Sequence, residues 1–370
     1  MKVWYENGYY SNRNNGLMLT TRVESSSTLS KLHSAYSASV PEEAPLVIVS
    51  YSANYGLESY WTYESYDMGR NGTAYVNVYN GNLTYIYSDL AMTGERLPLS
   101  ISHVYNSGKR DIDGTYLGME LSPGFRLNIL EQFEPTGFAD FPYKYTDGDG
   151  TEFLFRTDGS TITHEYDATQ VLTENNDGTL TLTDAQDNIK HYNLDGFLYE
   201  VEDNNGNVQT INWDNGQITS VEDPAGRTAT FDYDNEGYLI SITDPAGRTT
   251  EFEYYQGNWH YYDTVTITRP DGKQTYFSDS STSGIYIGGP LNNPGVGISV
   301  STSVSGRVGG IGWNANQDHP TSFSYNGAYQ AGMGAGQTKV TTNNGYPYND
   351  IIKSNDYSFD MFGRVTSVTN

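Results

Sequence analysis

Apolar and polar residues alternate along most of the chain in short runs, and glycine-containing turns separate these runs. The stretches YVNVY (75–79), LSISHVY (99–105) and TLTLT (179–183) have the two-residue period of a half-buried β-strand. Asn80-Gly81 and Asp177-Gly178 stand between such runs, and these pairs favour hairpin turns because they tolerate positive φ. Nowhere does the i, i+3, i+4, i+7 apolar spacing of an amphipathic helix persist beyond about three turns. The pattern predicts an all-β protein.

From residue 194 the alternation acquires a longer period of about 20 residues. Three segments have the same plan: DGFLYEVEDNNGNVQTINW from Asp195, NGQITSVEDPAGRTATFDY from Asn215 and EGYLISITDPAGRTTEFEY from Glu236. A shorter copy, FGRVTSVTN, ends at Asn370. Each unit has the length of one β-hairpin, and a single hairpin cannot bury its own apolar face. The units are therefore expected to stack side by side in a twisted sheet.

The hexapeptide DPAGRT occurs twice, from Asp223 and from Asp244. Proline fixes φ at the second position of such a turn, glycine accepts a positive φ, and aspartate can accept hydrogen bonds from the backbone that follows it. We interpret the hexapeptide as a repeated structural turn. The predicted structural positions of the repeat are Asp203, Gly206, Asp223, Pro224, Gly226, Arg227, Tyr233, Asp234, Asp244, Pro245, Gly247, Arg248 and Tyr254.

The two apolar residues of each first strand are three positions apart, as in Ile218 and Val221 or Leu239 and Ile242. In a regular strand this spacing puts them on opposite faces. Either both faces of the sheet are covered there, or a β-bulge or strong bend brings the two side chains to one face. We expect the bulge or bend.

The chain has 45 acidic and 20 basic residues, a formal net charge of −25 and no cysteine. This charge argues against nucleic acid as a partner, because nucleic-acid binding needs a lysine- and arginine-rich surface. The acidity favours solubility and self-repulsion, or alternatively a preference for basic cargo or cations. The lack of cysteine excludes disulfides and zinc–thiolate sites. No apolar run approaches the length of a membrane span.

No catalytic motif stands out, and we expect neither enzymatic activity nor a cofactor. The six histidines are scattered, and neither His-Glu-x-x-His nor Gly-x-Ser-x-Gly occurs. Asp147 and Asp149 have the close spacing of calcium ligands but lack the distal glutamate of an EF-hand loop, so they are either turn residues or calcium candidates. The candidates for stacking on glycans, which could equally form cross-strand aromatic contacts, are Trp61, Trp213, Trp259 and Tyr261.

The repeated pattern GxLxxVxDPxGRTxxFxYD resembles the YD-repeat or Rhs (rearrangement hot spot) family, whose Tyr-Asp pair is here Tyr233-Asp234. The upstream stretch YVNVYNGNLTYIYSDLAMTGERLPLSISHVYNS is similar to the segment that precedes the repeats in secreted Rhs and wall-associated proteins of Gram-positive bacteria. The resemblance implies a β-sheet that spirals into a hollow shell, which encloses a C-terminal toxin or forms an adhesive surface. The family's shell-closing, self-cleaving motif has no match in these residues.

These observations give an expected organisation. Residues 1–74 form a partly irregular lead-in with short strands, 75–193 an opening β region, 194–277 the YD repeats, 278–345 a Gly/Ser/Asn-rich insertion, and 346–370 a resumed, truncated repeat. The resemblance implies a non-enzymatic shell segment of a secreted or cell-surface bacterial protein, whose partner is a toxin-like domain later in the same polypeptide. The alternative is an adhesion or glycan-binding protein of the cell surface, with cell-wall or surface glycans as partners. Self-association through open sheet edges is also expected.

Overall fold

The structure, a computed structural model, describes residues 55–92, 97–109, 125–256, 262–280, 284–289, 297–302, 307–313, 318–326, 336–343, 350–360 and 363–370. These residues form two antiparallel β-sheets and two short 3-10 helices, Gly69–Asn71 and Ser107–Lys109. The all-β prediction is confirmed. Within the same ranges, no helix is long and apolar enough to cross a membrane.

The smaller sheet has five strands in sequence order. They are β1 (Tyr63–Asp67), β2 (Thr73–Asn77), β3 (Leu83–Met92), β4 (Leu99–Asn106) and β5 (Phe125–Leu127). Strand β4 is buried along nearly its whole length, because both of its edges are paired and the larger sheet packs over it.

The larger sheet has 22 strands, and each strand pairs with the next one in the sequence. The first eight are β6 (Gln132–Phe138), β7 (Phe141–Thr146), β8 (Glu152–Thr157), β9 (Ile162–His164), β10 (Val171–Glu174), β11 (Leu180–Thr183), β12 (Ile189–Tyr192) and β13 (Leu198–Glu202). The next seven, which carry the repeats, are β14 (Val208–Asp214), β15 (Gln217–Glu222), β16 (Thr228–Tyr233), β17 (Leu239–Thr243), β18 (Thr249–Gln256), β19 (Tyr262–Thr268) and β20 (Gln274–Ser280).

The sheet continues without a change of pairing order through the Gly/Ser/Asn-rich stretch. Its last seven strands are β21 (Gly284–Gly288), β22 (Gly297–Thr302), β23 (Val308–Trp313), β24 (Asp318–Asn326), β25 (Gln337–Asn343), β26 (Ile351–Phe359) and β27 (Val365–Thr369). Strands β21 to β25 lie within residues 278–345, where alternation such as GISVST buries every second residue over part of the strand.

The beginning of the larger sheet curls back on itself, so that β6 meets the start of β13. Phe133 N–H donates to the Gly196 carbonyl (2.9 Å), Leu198 N–H donates to the Glu131 carbonyl (3.0 Å), and a β-bridge joins the residues between them. Gly196 has φ +79°, and a Cβ there would lie 1.9 Å from the Phe133 carbonyl oxygen. Only glycine fits this crossing. We call the eight strands β6 to β13 the first coil.

The predicted β-bulges are present in the repeats. Between β14 and β15, Trp213 pairs with Ile218 while the preceding residue pairs with Ser220, which leaves Thr219 as the extra residue. This bulge turns Ile218 and Val221 to the same face, and both are fully buried while Thr219 is exposed. The three-residue spacing of the apolar anchors is therefore a bulge signature.

The same irregularity recurs along the sheet. Tyr199, Ile240 and Thr366 are the extra residues of the β12–β13, β16–β17 and β26–β27 pairs. Around Ile240, which is 38% exposed, Leu239 and Ile242 are both buried. Each repeat thus presents both of its anchors to one side.

The small sheet packs against the apolar face of the large one in a single core. Phe277 of β20 lies at the centre, with its ring centroid 4.5 Å from that of Phe125, 4.8 Å from that of Tyr105 and 6.0 Å from that of Tyr85. The Tyr105 hydroxyl also donates to Asp279 at 2.9 Å. The chain's own smaller sheet thus covers the apolar face of the larger sheet around β20.

A carboxylate–imidazole pair is buried between the two sheets. Asp89 is the extra residue of a bulge in β3, and its Oδ2 lies 2.6 Å from Nδ1 of His103, with both side chains fully buried. The His103 ring meets the Phe252 ring edge-on at 5.0 Å. Burial raises the pKa of Asp89, and the imidazole opposes this effect. No motif in the sequence marks this buried pair.

We predict that Phe277→Ala lowers the free energy of unfolding by about 3–5 kcal/mol, because it removes the ring that packs between the two sheets and leaves a cavity there. Urea denaturation of the whole chain measures the change. Leu194→Ala, at a turn position that is 73% exposed, is the matched control and should cost less than about 1 kcal/mol. Equal losses in the two variants would contradict the packing of the small sheet on β20.

Candidate functional site

The repeated turn uses every residue of the DPAGR motif that can make a polar contact. Asp223 N–H donates to the Arg227 carbonyl (3.0 Å), and Gly226 N–H donates to the Asp223 carbonyl (2.9 Å). Oδ1 of Asp223 accepts the N–H groups of Ala225 and Arg227, and Oδ2 accepts Nε of Arg227 at 2.7 Å. Gly226 has φ +76°. This is a three-residue hairpin loop, a type I turn followed by a left-handed glycine.

The two backbone hydrogen bonds of this turn recur at both edges of the large sheet. The other turns with the same pair of bonds begin at Asp147, Asn175, Asp184, Asn193, Asp203, Asp234, Asp244, Arg269 and Asp360. Their fourth residue is glycine with positive φ, except in the Asp184 turn, where Asp187 has φ 62°. The predicted structural positions Asp203, Gly206, Asp234, Asp244, Gly247 and Arg248 all lie in these turns.

At Asp203, Asp223 and Asp244, the first carboxylate of the turn has a lowered pKa. At Asp203, the Asn207 side chain and nearby backbone N–H groups lower the pKa. At Asp223 and Asp244, partial burial acts to raise the pKa, but the backbone N–H and guanidinium of the following arginine outweigh it and the net pKa is lowered. A lowered pKa stabilises the fold above the usual aspartate range, and this stabilisation is lost as the pH falls through the folded-state pKa.

In two of the three full repeats, the aromatic residue near the end bonds a backbone carbonyl 15 positions earlier. Trp213 Nε1 donates to the Leu198 carbonyl at 2.9 Å, and the Tyr254 hydroxyl donates to the Leu239 carbonyl at 2.5 Å. Tyr233, half-buried, occupies the corresponding position beside Ile218.

These carbonyls lie just outside the paired part of the sheet. The β13–β14 ladder begins at Glu200, two residues after Leu198, and the β17–β18 ladder begins at Ser241, two residues after Leu239. The bulge therefore separates the strands, and the aromatic side chain fills the gap while satisfying a carbonyl that would otherwise lack a partner. This explains why the repeat ends in an aromatic residue with a hydrogen-bond donor.

Comparison with known proteins agrees with this geometry. Residues 213–249, from the Trp213 position to the end of the second DPAGRT, match the RHS repeat family. This part of the chain is an RHS repeat. The same turns and bulges occur on either side of the matched RHS residues, from the first coil to β27. No curated protein matches the chain.

Two solved structures are similar to this chain. One is the Photorhabdus luminescens Tc holotoxin pore with a mutation in TccC3, at 11% identity and a TM-score of 0.26, covering 80% of this chain and 16% of that one. The other is a TcdB2–TccC3 crystal structure, at 11% identity and a TM-score of 0.23, covering 80% of this chain and 22% of that one. The chain thus spans less than a quarter of the length of either.

Two of the predicted glycan-stacking residues and both calcium candidates make contacts within the fold. Trp61 is buried, and Trp213 stacks on Phe197 with its ring nitrogen bonded to a carbonyl; residues 259 and 261 lie outside the described residues. Asp147 caps its own turn, and Oδ2 of Asp149 accepts Leu57 N–H at 2.7 Å. Among the described residues, no three His, Asp or Glu side chains are grouped as metal ligands would be. Calcium binding stays a prediction.

A cavity of about 600 Å³ lies at one end of the first coil, where turns of β7–β8, β9–β10 and β11–β12 meet residues 58–60. Glu131 lies in its wall, with its carboxylate oxygens 2.7 and 2.8 Å from Nζ of Lys190, and it accepts the hydroxyls of Tyr145 (2.6 Å) and Tyr192 (3.1 Å). Burial acts to raise the pKa of Glu131, but Lys190 and the two hydroxyls outweigh it and lower the pKa.

The remaining ionisable groups of this cavity fall into two sets. Burial, with the nearby Asp149 carboxylate, raises the pKa of Glu58 to about 7, and burial and Asp149 also raise the pKa of Asp147. Hydrogen bonds from Thr169 are the main cause of the lowered pKa of Asp167. At Asp184, burial acts to raise the pKa, but hydrogen bonds from Asn188 outweigh it and the net pKa is lowered. A cavity that holds carboxyl groups with raised pKa values beside others with lowered pKa values is a candidate binding site.

The sequence did not reveal this cavity. His164 contributes to its wall, where Nδ1 accepts the backbone N–H groups of Tyr166 and Asp167 and burial lowers the pKa to about 4. The lining residues are spread from Glu58 to Val201, and no spacing rule joins them. The closely spaced acids around Asp147 were the one available signal.

We predict that Tyr254→Phe lowers the free energy of unfolding by about 1–2 kcal/mol, because the Leu239 carbonyl loses its donor. Tyr255→Phe is the control, since Tyr255 is the adjacent residue and is 71% exposed; it should change stability by less than about 0.5 kcal/mol. Thermal and urea denaturation measure both variants. A Tyr254→Phe variant as stable as the control would show that the hydroxyl has no structural role.

Proposed function

We propose that this chain is a non-enzymatic wall segment of a secreted or cell-surface bacterial RHS protein. The wall either encloses or displays a toxin-like domain that belongs to the same longer polypeptide. The observation that carries the proposal is that the recurring polar residues of the RHS repeat are engaged in building the sheet. Asp223 and Arg227 bond their own turn, and Tyr254 bonds the gap beside a bulge. Such a unit extends the β-sheet wall, and these polar side chains are already bonded within the fold.

The small sheet gives this segment a particular place in such a wall. It covers the apolar face of the repeats from β18 to β26, through contacts such as His103 with Phe252, Phe125 with Phe277 and Tyr79 with Phe359. Where the chain's own small sheet covers the inner face of the wall, no room is left there for cargo. Such a part of the wall can only close the enclosed space. We infer that these residues form a plugged end of the enclosure.

The adhesion and glycan-binding alternative has less support. It depends on aromatic rings that are free to stack on a sugar, and the rings of Trp61 and Trp213 are used inside the fold. Tyr255 is 71% exposed, and single exposed aromatic side chains are normal on soluble proteins.

Limited proteolysis of the full-length protein recovered from its source tests the proposal. We expect the non-repeat portion to resist protease in the native protein and to become sensitive in an Ile242→Asp variant, which puts a charge on the inner face. Ile240→Asp is the control, because Ile240 is the neighbouring exposed bulge residue, and it should leave the protection intact.

Two results would overturn enclosure. If the non-repeat portion is cut equally fast in the native protein and in the Ile242→Asp variant, it is displayed on the wall. If the recovered protein contains no portion besides this β-sheet, no cargo exists and adhesion becomes the better account.

A further inference from the structure

We propose that the cavity of the first coil binds a primary ammonium group on an aliphatic stem, the chemistry shared by a lysine side chain and a free polyamine. The proposal does not depend on the role of the RHS wall. It rests on the size of the cavity, on its excess of carboxyl groups, and on a lysine that already occupies one of its walls.

The cavity has the dimensions of a ligand site. Its volume of about 600 Å³ lies within the range of about 300–1,000 Å³ that is common for small-molecule pockets. Tyr60 and Tyr166 stand at its wall and are 38% and 62% exposed, so a ligand can enter from solvent. Phe153 adds a buried aromatic surface.

The lining is strongly acidic. Its carboxyl groups are Glu58, Glu131, Asp147, Asp167 and Asp184, and Lys190 is its single ammonium group. Lys190 is bound to both oxygens of Glu131, and its charge also helps to lower the pKa of Asp184, so that one ammonium group faces five carboxyl groups. Asp167 and Asp184, with their lowered pKa values, remain anionic at neutral pH.

Lys190 shows which ligand the walls accommodate. Its ammonium lies 2.7 and 2.8 Å from the Glu131 oxygens, and Tyr145, another lining residue, donates its hydroxyl to the same carboxylate. A second alkylammonium would meet the carboxylates of Asp167 and Asp184 in the lining. The rings of Tyr60, Phe153 and Tyr166 would cover its stem and attract its charge. A divalent metal fits less well, because no group of three metal-ligating side chains converges in the part of the chain that the structure describes.

Binding of such a cation should release a proton from Glu58. The groups that face Glu58 are Asp147 and Asp149 from the β7–β8 turn, and Tyr60 and Tyr63 from its own segment. His164 and Asp167 from the β9–β10 turn, and Asp184 and Lys190 from β11–β12, complete the surroundings. A positive ligand favours the ionised carboxylate. With a free-state pKa of about 7, affinity should rise about tenfold between pH 6 and pH 8.

Isothermal titration of the whole chain tests this inference. The probes are Nα-acetyl-lysine methylamide and spermidine for the ammonium group, with calcium chloride and glucose as the competing classes. We expect both amines to bind about tenfold more tightly at pH 8, with proton release that differs between buffers of different ionisation enthalpy. Preference for one amine identifies the source of the ammonium group as a peptide or a free polyamine.

Variants separate binding from folding. Glu58→Gln should reduce the pH dependence, whereas Glu251→Gln, an exposed acid on β18, should leave it unchanged. Tyr60→Ala should weaken binding severalfold without altering the circular dichroism or the melting temperature. The inference is overturned if neither amine binds at millimolar concentration, if calcium or glucose binds and the amines do not, or if amine affinity is unchanged in Glu58→Gln and Tyr60→Ala.

Discussion

The constraint on which the rest of this structure depends is the β-bulge that each repeat places between its two apolar anchors. Without the extra residue Thr219, Ile218 and Val221 would point to opposite faces of β15. With it, both side chains reach the same core. Because every repeat carries the same irregularity, the sheet gains one continuous apolar face. The bulge also separates neighbouring strands, which creates the position for the Trp213 and Tyr254 donors.

The tight turns and the bulges act together. The turn bonds of Asp223 and Arg227 fix the register at one end of a hairpin, and the bulge fixes which face is buried further along the strand. Local bonds of this kind need no distant partner, so strand after strand can be added in sequence order. The apolar face that results is then covered by the small sheet, chiefly around Phe277.

The local features of the fold could be predicted from the sequence. The DPAGR turn and the three-residue anchor spacing each have a direct physical cause that shows in neighbouring residues. The packing of β1–β5 onto the repeats could not be predicted, because contacts such as Tyr105 with Asp279 join residues far apart in the sequence. The Asp89–His103 pair and the cavity beside Glu58 were missed for the same reason.

A charge scan across one bulge tests the account most directly. Four variants would each carry one aspartate, in place of Ile218, Thr219, Ser220 or Val221. Urea denaturation would give the free energy of unfolding of each variant. The account predicts losses of about 4 kcal/mol or more at both Ile218 and Val221, and less than about 1 kcal/mol at the exposed Thr219. A strand that tolerates aspartate at either Ile218 or Val221 would contradict the bulge and the single apolar face that follows from it.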